Sequence, residues 1–214
     1  MTVLLTKDTD PWQDTTAIMV SNVVIPKTSG YGIRVDTASP SFGWKDLTGQ
    51  VHIKATGASD PGFNVYRTNI RQYQFAVGRE VWLEYHMPHD YLPGSEMFIH
   101  AHWSLITTEV ENVTWGFDLT YAKGYARGLF NATVNCTKLL ASTGVAYTHM
   151  ISEVQCTGGA LLTTANLEVD GLLLVRCYLS ANSGAADPFL HFVDLHYQSN
   201  GVMGTKDKNY PFYS

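Results

Sequence analysis

Short runs in which apolar and polar residues alternate recur along most of the chain. Glycine, proline, asparagine and aspartate separate these runs, and patterns of helical period are nearly absent. Because successive side chains of a strand point to opposite faces, this pattern predicts an all-β protein. The predicted strands cover residues 31–35, 50–54, 70–77, 80–87, 97–106, 113–122, 129–140, 146–155, 172–180 and 189–198.

The number and spacing of these strands predict how they pack. About eight to ten antiparallel strands in one domain specify a β-sandwich, and the jelly roll is the commonest arrangement of that size. Segment 158–169 has alanine and leucine at helical spacing, which permits one short helix. In the strand 80–87, alternation assigns four residues to the core, which are Val81, Leu83, Tyr85 and Met87.

The two ends of the chain differ from its middle. Residues 1–28 and 199–214 are rich in polar residues and show little periodicity. We therefore predict a jelly-roll domain at 29–198 between extended N-terminal and C-terminal arms. The arms either cross to a neighbouring subunit or cover sheet edges of their own chain. Three aromatic residues of the C-terminal arm need a surface on which to dock, and these predicted interface residues are Tyr210, Phe212 and Tyr213.

Composition bears on the partners. The chain has 214 residues, which suits one domain, and 15% of them are charged against a usual value of about 25%. So neutral an exterior favours a protein that packs against copies of itself or another assembly, and a plain soluble β domain is the alternative. The net charge of −5 without a basic cluster predicts no nucleic-acid partner. No apolar run approaches the roughly 20 residues of a spanning helix, so no membrane partner is expected.

The first residues, MTVLLTKDTDPWQD, do not form the pattern of a secretory signal or a membrane anchor. Three widely spaced cysteines, Cys136, Cys156 and Cys177, form no metal-binding or redox motif. We expect them to be buried and reduced, as in a protein that folds in cytoplasm.

The segment HDYLPGSEMFIHAHWSL, residues 89–105, carries the best candidate chemistry. A strand here places His100 and His102 side by side on the face opposite to the core, and two neutral imidazoles are good ligands for a transition metal. In the strand 189–198, alternation places Asp194 and His196 on one face, opposite to His191, Val193, Leu195 and Tyr197. If the two strands were neighbours, His100, His102, Asp194 and His196 would form a metal site.

The same four residues have a simpler interpretation. They form the polar faces of two strands and bond to each other or to a neighbouring molecule. We favour this interpretation from the sequence and so predict that the protein has no cofactor.

The run GSEMFIHAH, residues 94–102, resembles the opening of the cupin motif, in which a glycine precedes a His-x-His pair. Cupins are small jelly-roll barrels, so the resemblance implies a metal-dependent enzyme as one alternative. The sequence departs from the motif, because the first acidic residue after the pair, Glu109, is out of position and the second cupin motif is absent. No other catalytic constellation is present, and we predict that the protein is not an enzyme.

Aromatic residues permit one more function, carbohydrate binding. Five tryptophans and twelve tyrosines in an all-β chain can include an exposed platform for stacking on a sugar ring. Trp82 is the best candidate, because alternation places it on an outward face.

Two stretches resemble a known group of proteins. HDYLPGSEMFIHAHW with WGFDLTYAKG, and the ending FVDLHYQSNGVMGTKDKNYPFY, are similar to uncharacterised proteins encoded beside structural genes of tailed bacteriophages. The resemblance covers residues 80–125 and 189–214. It implies a component of the virion that is made in the bacterial cytoplasm, and jelly-roll proteins of phage particles serve as capsid decoration, head spikes or parts of tail fibres.

The residues and the resemblance together predict a capsid decoration or cement protein. We expect a homo-oligomer, with a trimer favoured by analogy with other jelly rolls of capsids, that binds the major capsid protein or other virion proteins. A tail or fibre receptor-binding protein is the alternative within the virion. The metal-dependent cupin-like enzyme and the carbohydrate-binding module are the alternatives outside it.

Overall fold

The computed structural model describes residues 19–20, 23–24, 34–35, 43–52, 59–124 and 128–199. The sequence permitted a short helix within 158–169, and the structure has a 3-10 helix of three residues there, Thr164–Asn166. No helix in the described ranges is long and apolar enough to cross a membrane. The strands are β1 (Met19–Val20), β2 (Val23–Val24), β3 (Arg34–Val35), β4 (Gly43–Thr48), β5 (Gln50–His52), β6 (Gly62–Arg67), β7 (Ile70–Gln74), β8 (Glu80–His86), β9 (Met97–Ser104), β10 (Asn112–Ala122), β11 (Val134–Ala141), β12 (Met150–Gln155), β13 (Leu172–Asn182) and β14 (Phe189–Ser199).

Eight of these strands form a jelly roll. They lie in two sheets with the orders β7-β14-β9-β12 and β8-β13-β10-β11. The antiparallel pairs join the first strand of this set to the last, then the second to the second last, and so on inward: β7 with β14, β8 with β13, β9 with β12 and β10 with β11. This is the pairing of one long hairpin rolled into two layers, which is a jelly roll. The predicted all-β jelly-roll sandwich of antiparallel strands is confirmed.

The remaining strands extend these layers. β5 pairs with β8 and completes a five-stranded sheet, while β6 pairs with β7 and β4 pairs with β14 to complete a six-stranded sheet. β1, β2 and β3 form a separate three-stranded sheet. The sequence pattern missed β4 and β6, because their side chains are mostly exposed on both faces and no buried face imposes an alternation.

The core lies between the two sheets. Val81, Leu83, Tyr85 and Met87 are each at most 1% exposed, as predicted for β8. The hydroxyl of Tyr85 donates a hydrogen bond to the carbonyl oxygen of Val193 in the opposite sheet, 3.0 Å away. This bond offsets the cost of burying the hydroxyl and ties the two layers together.

The three cysteines are free and buried, as expected. Cys136 lies on β11 and Cys177 on β13, while Cys156 directly follows β12. Burial raises the pKa of the Cys136 thiol to about 11. A thiol in this environment is a poor nucleophile, so these residues contribute to packing.

The predicted arms fall largely outside the described residues. Residues 200–214 are among those not described, and with them the predicted interface residues Tyr210, Phe212 and Tyr213. Within 1–28 the described residues belong to β1 and β2. The arms and the boundaries of the domain at 29 and 198 stay predictions.

Candidate functional site

The outer face of the six-stranded sheet carries the two histidines that the sequence placed together. In β9, Ile99, Ala101 and Trp103 belong to the core, and His100 and His102 alternate with them, as predicted. Both imidazoles are nevertheless buried, with 4% and 7% of their surface exposed. The polar face of a sheet is usually exposed to solvent. The residues of the neighbouring strands account for the low exposure of these two imidazoles.

The register of the two strands next to β9 places a row of ionisable groups across this face. β14 lies beside β9 and places Asp194 opposite His100. On the other side of β9, β12 places Glu153 opposite the same histidine. Side chains directly opposite each other on one face have Cβ atoms about 4.5–5.5 Å apart. The condition on which the sequence-predicted site depended, that the strands 97–106 and 189–198 are neighbours, is therefore met.

One residue of β14 lies on a different face from the predicted one. Strict alternation places His191 on the core face, with Val193 and Leu195. The register between β14 and β9 instead shifts between Leu190 and Phe192, so His191 is the extra residue of a bulge. Its Nε2 lies 2.8 Å from Ser104 Oγ, next to the other histidines. The prediction for His191 was wrong because a bulge changes the direction of one side chain, which a period of two cannot describe.

Three of the four predicted ligands meet at one carboxylate. Oδ1 of Asp194 lies 3.0 Å from Nε2 of His102 and 3.6 Å from Nδ1 of His100. The candidate ligand atoms of these three residues all lie within 4.8 Å of one another. The described structure thus brings together two imidazoles and a carboxylate, all three of them buried.

The second nitrogen of each imidazole is also engaged. Nε2 of His100 lies 2.7 Å from Oε2 of Glu153. Nδ1 of His102 lies 2.8 Å from Nε2 of His149, a residue just before β12. An ionised carboxylate only accepts, so His100 donates to Glu153, whereas the tautomers decide which ring donates between His102 and His149. These contacts fix the orientation of both rings.

The fourth predicted ligand, His196, stands apart from this group. Its Nε2 contacts a carboxylate oxygen of Asp46 on β4 and lies 3.7 Å from Oδ2 of Asp194. It forms one candidate group with Asp46 and Asp194 and another with His100 and Glu153, but it shares none with His102. Asp194 therefore directs one oxygen towards His102 and the other towards His196.

The charge of Asp194 has an unusual environment. The side chain is 3% exposed, and its ion-pair partners among the described residues are histidines, with no lysine or arginine. Burial lowers the pKa of His100 below its ordinary 6.5, which outweighs the opposing effect of Glu153 and favours a neutral ring near pH 7. A buried carboxylate with little positive charge nearby is costly to maintain.

Aromatic side chains surround the cluster. The ring of Phe192 stacks on that of His102 with centroids 3.9 Å apart. Tyr66 accepts a hydrogen bond of 2.9 Å from Ser104 and packs edge-on against His191. These rings displace water from the imidazoles, which accounts for their low exposure.

The sequence did not identify three members of the cluster, Glu153, His149 and Asp46. Glu153 and His149 lie in or next to a predicted strand, but nothing in the sequence shows that this strand pairs with β9. Asp46 lies on β4, which the pattern missed. In all three cases, the sequence contains no signal that shows which strands pair.

Two other sequence-based candidates lie outside the cluster. Glu109, the acidic residue nearest to the cupin position, is exposed in the loop after β9 and belongs to none of the candidate metal groups. Trp82 is half-buried on the outer face of the five-stranded sheet, in an open groove of about 710 Å³ that also contains Arg176 and Asp118. These two charged groups are paired with each other, 2.7 Å apart. Carbohydrate binding at Trp82 stays a prediction.

No protein-family model matches the chain, and no curated protein matches its sequence. Among solved structures, the chain is similar to the xylan-binding module CBM15, with 9% identity over 73% of this chain and 97% of that one and a TM-score of 0.37. It is also similar to the CBM22-1 and GH10 modules of endo-1,4-β-D-xylanase 10B from Clostridium thermocellum, complexed with xylohexaose, with 11% identity over 72% of this chain and a TM-score of 0.33. The chain covers 26% of that xylanase structure. Similarities at this level do not indicate a ligand or a family.

Proposed function

We propose that the protein is a structural component of a bacteriophage virion, a capsid decoration or cement protein that forms homo-oligomers and binds the major capsid protein. An exposed apolar hairpin carries this proposal. β6 and β7 form the hairpin, and in the described part of the chain no further strand pairs with β6. Phe63, Val65 and Ile70 on these strands are 54%, 49% and 58% exposed.

A strand edge that has no partner among the described strands normally carries protection. Charges, prolines, bulges or covering segments prevent its unpaired N–H and C=O groups from recruiting another chain. The far end of β6 has a bulge between Val65 and Arg67, and Arg71 on β7 donates a hydrogen bond to the carbonyl oxygen of Phe63, 3.0 Å away. The stretch Gly62–Val65 itself has neither a charge nor a proline. A neighbouring copy of this chain, related by a rotation axis and contacting the edge with a different part of its surface, is the occupant that we propose for this edge.

The sequence supports the setting. Residues 80–125 and 189–214 resemble uncharacterised proteins encoded beside structural genes of tailed bacteriophages, and the charge-poor exterior suits a protein with several neighbours. A jelly roll is a fold that phage decoration proteins use. A trimer follows from that analogy and not from particular residues.

The alternative within the same setting is a tail or fibre receptor-binding protein. Both functions use a homo-oligomer, so the position of the chain in the particle distinguishes them. Cryo-EM of the intact virion would place a decoration protein on the capsid lattice and a receptor-binding protein at the tail.

Light scattering on the purified full chain tests the assembly. We expect the mass of a trimer at micromolar concentration, and we expect Val65→Asp to give monomers because it places a charge in the proposed interface. Leu129→Asp is the matched control, because Leu129 is 92% exposed outside the hairpin and should not affect the mass. A monomeric wild type, or a V65D variant of unchanged mass, would contradict the proposed assembly.

The C-terminal arm gives a second test. Removal of residues 201–214 should leave the circular dichroism and the melting temperature almost unchanged while it weakens oligomer or particle binding, because Tyr210, Phe212 and Tyr213 would lose their docking surface. Loss of the folded state would show instead that this segment belongs to the core of its own domain.

A further inference from the structure

Asp194 lies at a distance from each of two imidazoles that suits shared metal ligands. Tetrahedral Zn²⁺ with bonds of about 2.0–2.2 Å holds neighbouring ligand atoms about 3.3–3.6 Å apart. Asp194 Oδ1 lies 3.0 Å from His102 Nε2, which is below that range, and 3.6 Å from His100 Nδ1, which is at its upper end. One ligand atom from each of the three residues lies within 4.8 Å of the others, so adjustment of the side chains would let the three share one ion.

The surroundings of the two imidazoles match those of metal-bound histidines. A ligating histidine commonly gives its other N–H to a carboxylate, a carbonyl or another acceptor, which fixes the tautomer and the ring orientation. Glu153 stands in that position for His100, at 2.7 Å from Nε2. His149 stands in it for His102, at 2.8 Å from Nδ1. When each imidazole carries its proton on this outer nitrogen, its inner nitrogen can offer a lone pair to an ion bound beside Asp194, and in the case of His102 the ion would replace the hydrogen bond between Nε2 and Asp194 Oδ1.

The charge of the cluster also indicates a cation. Asp194 and Glu153 both face His100, and no lysine or arginine of the described residues forms an ion pair with either carboxylate. A divalent ion would supply the positive charge that a buried carboxylate needs. Two imidazoles with one carboxylate select a transition metal over Mg²⁺ or Ca²⁺, which prefer ligand sets made of oxygen alone.

We propose that the outer face of the six-stranded sheet binds one divalent transition-metal ion, with Zn²⁺ as the preferred occupant, through His100 Nδ1, His102 Nε2 and Asp194. A fourth position is left for water, because His196 shares no candidate group with His102. This proposal replaces the expectation of no cofactor. That expectation rested on the incomplete cupin motif and on a sequence that could not place β14 beside β9. The site does not depend on the assembly proposed above.

Metal analysis of the full chain tests the site directly. Protein dialysed against metal-free buffer and then loaded with Zn²⁺ should retain about one ion per chain after a second dialysis. Co²⁺ in place of Zn²⁺ should give a visible absorption spectrum of a nitrogen and oxygen ligand set. Added Zn²⁺ should raise the melting temperature of the metal-free wild type, since an ion that binds the folded state stabilises it.

Four variants assign the binding to these residues. His100→Ala and Asp194→Asn should abolish stoichiometric retention of Zn²⁺ and the rise in melting temperature. Glu153→Gln keeps all three ligands but changes the partner of His100, and it should weaken the affinity by about 10–100-fold. His52→Ala, which removes an exposed histidine from the other sheet, is the control and should bind as the wild type does.

The outcomes separate clearly. Failure of the wild type to retain Zn²⁺ or to gain stability from it would overturn the proposal, whatever the variants do. Equal retention by the wild type, H100A and D194N would overturn it as well, because the ion would then lie elsewhere. If H100A or D194N does not fold, the Co²⁺ spectrum of the wild type and the Zn²⁺ affinity of Glu153→Gln still test the proposed ligands. An unchanged affinity in E153Q would count against His100 as a ligand.

Discussion

The outer faces of the two sheets are both lined by polar side chains, but they differ in what those side chains meet. On the five-stranded sheet, the outward residues of β8 include Glu84, which is exposed, and the half-buried Trp82. Arg176 on the next strand pairs there with Glu80 and Asp118 at the protein surface. On the six-stranded sheet, the outward residues His100 and His102 are almost completely buried.

The difference arises from the neighbouring strands and not from β8 or β9 themselves. Both strands have apolar residues at every second position, and both place these in the core. On the five-stranded sheet, opposite charges pair in contact with solvent, where each pair contributes little. On the six-stranded sheet, His100, His102 and Asp194 are buried, and the ring of Phe192 stacks on that of His102, so an unpaired group is expensive there. The alternation of apolar and polar residues identifies the core face of a strand, but it does not show whether the other face is exposed to solvent.

The largest predicted loss of stability comes from a substitution on the buried outer face of the six-stranded sheet. His102→Ala should lower the free energy of unfolding by about 3 kcal/mol, because it removes a partner of the buried Asp194 carboxylate and leaves that charge less compensated. It also removes the ring that stacks on Phe192. Urea unfolding in buffer with a chelator measures this cost without a contribution from bound metal.

Glu84→Ala is the matched control on the other face. Glu84 is an exposed outward residue of β8, so its removal should change the free energy of unfolding by at most about 0.5 kcal/mol. Equal costs for H102A and E84A would show that the two outer faces are not different in the way described.

Much of the fold was predictable from the sequence, because burial imposes a pattern on residues. The core positions of β8 and β9 followed from alternation, and the number of strands indicated a jelly roll. The exposed strands β4 and β6 left no such pattern and were missed. His191 was placed on the wrong face, because a bulge adds one residue that a regular period cannot anticipate.

The candidate site was predictable only in part. His100 and His102 are two residues apart on one strand, so their proximity needed no tertiary information. Asp194 joined them through the pairing of β14 with β9, which brings it next to His102, 92 positions away in the chain. Glu153 and Asp46 come from two further strands. Such pairings depend on the whole topology, and no local pattern encodes them.

A smaller effect is expected at the end of the six-stranded sheet, where Asp90 accepts hydrogen bonds from Ser199 and Tyr197 at 2.7 and 3.1 Å and pairs with Lys45. Burial raises the pKa of Asp90, but these bonds outweigh it and hold the pKa below the ordinary 3.8. The stabilisation is therefore complete above that value and is lost as the pH falls through the lower pKa of the folded state.

Asp90→Asn should lower the free energy of unfolding by about 1 kcal/mol at pH 7, since a charged acceptor is replaced by a neutral one. The difference between wild type and variant should shrink as the pH falls below 3.8. Urea unfolding at a series of pH values measures it. A difference that stays constant down to the lowest pH at which both proteins fold would show that the charge of Asp90 does not contribute.

Apart from the control Glu84→Ala, the smallest effect is expected on the solvent-facing sheet, at Arg176. Its side chain is 36% exposed, it pairs with Glu80 and with Asp118, and its guanidinium lies 4.3 Å from the ring centroid of Tyr178. Because solvent screens such pairs, Arg176→Gln should lower the free energy of unfolding by less than about 1 kcal/mol. The cost should fall further in 1 M NaCl, where the screening length is about 3 Å, whereas the cost of His102→Ala should hardly change because buried groups are screened much less. Unfolding of both variants at low and high salt therefore tests the comparison between the two outer faces. A large, salt-independent cost of R176Q would mean that the outer face of the five-stranded sheet excludes solvent as well as that of the six-stranded sheet does.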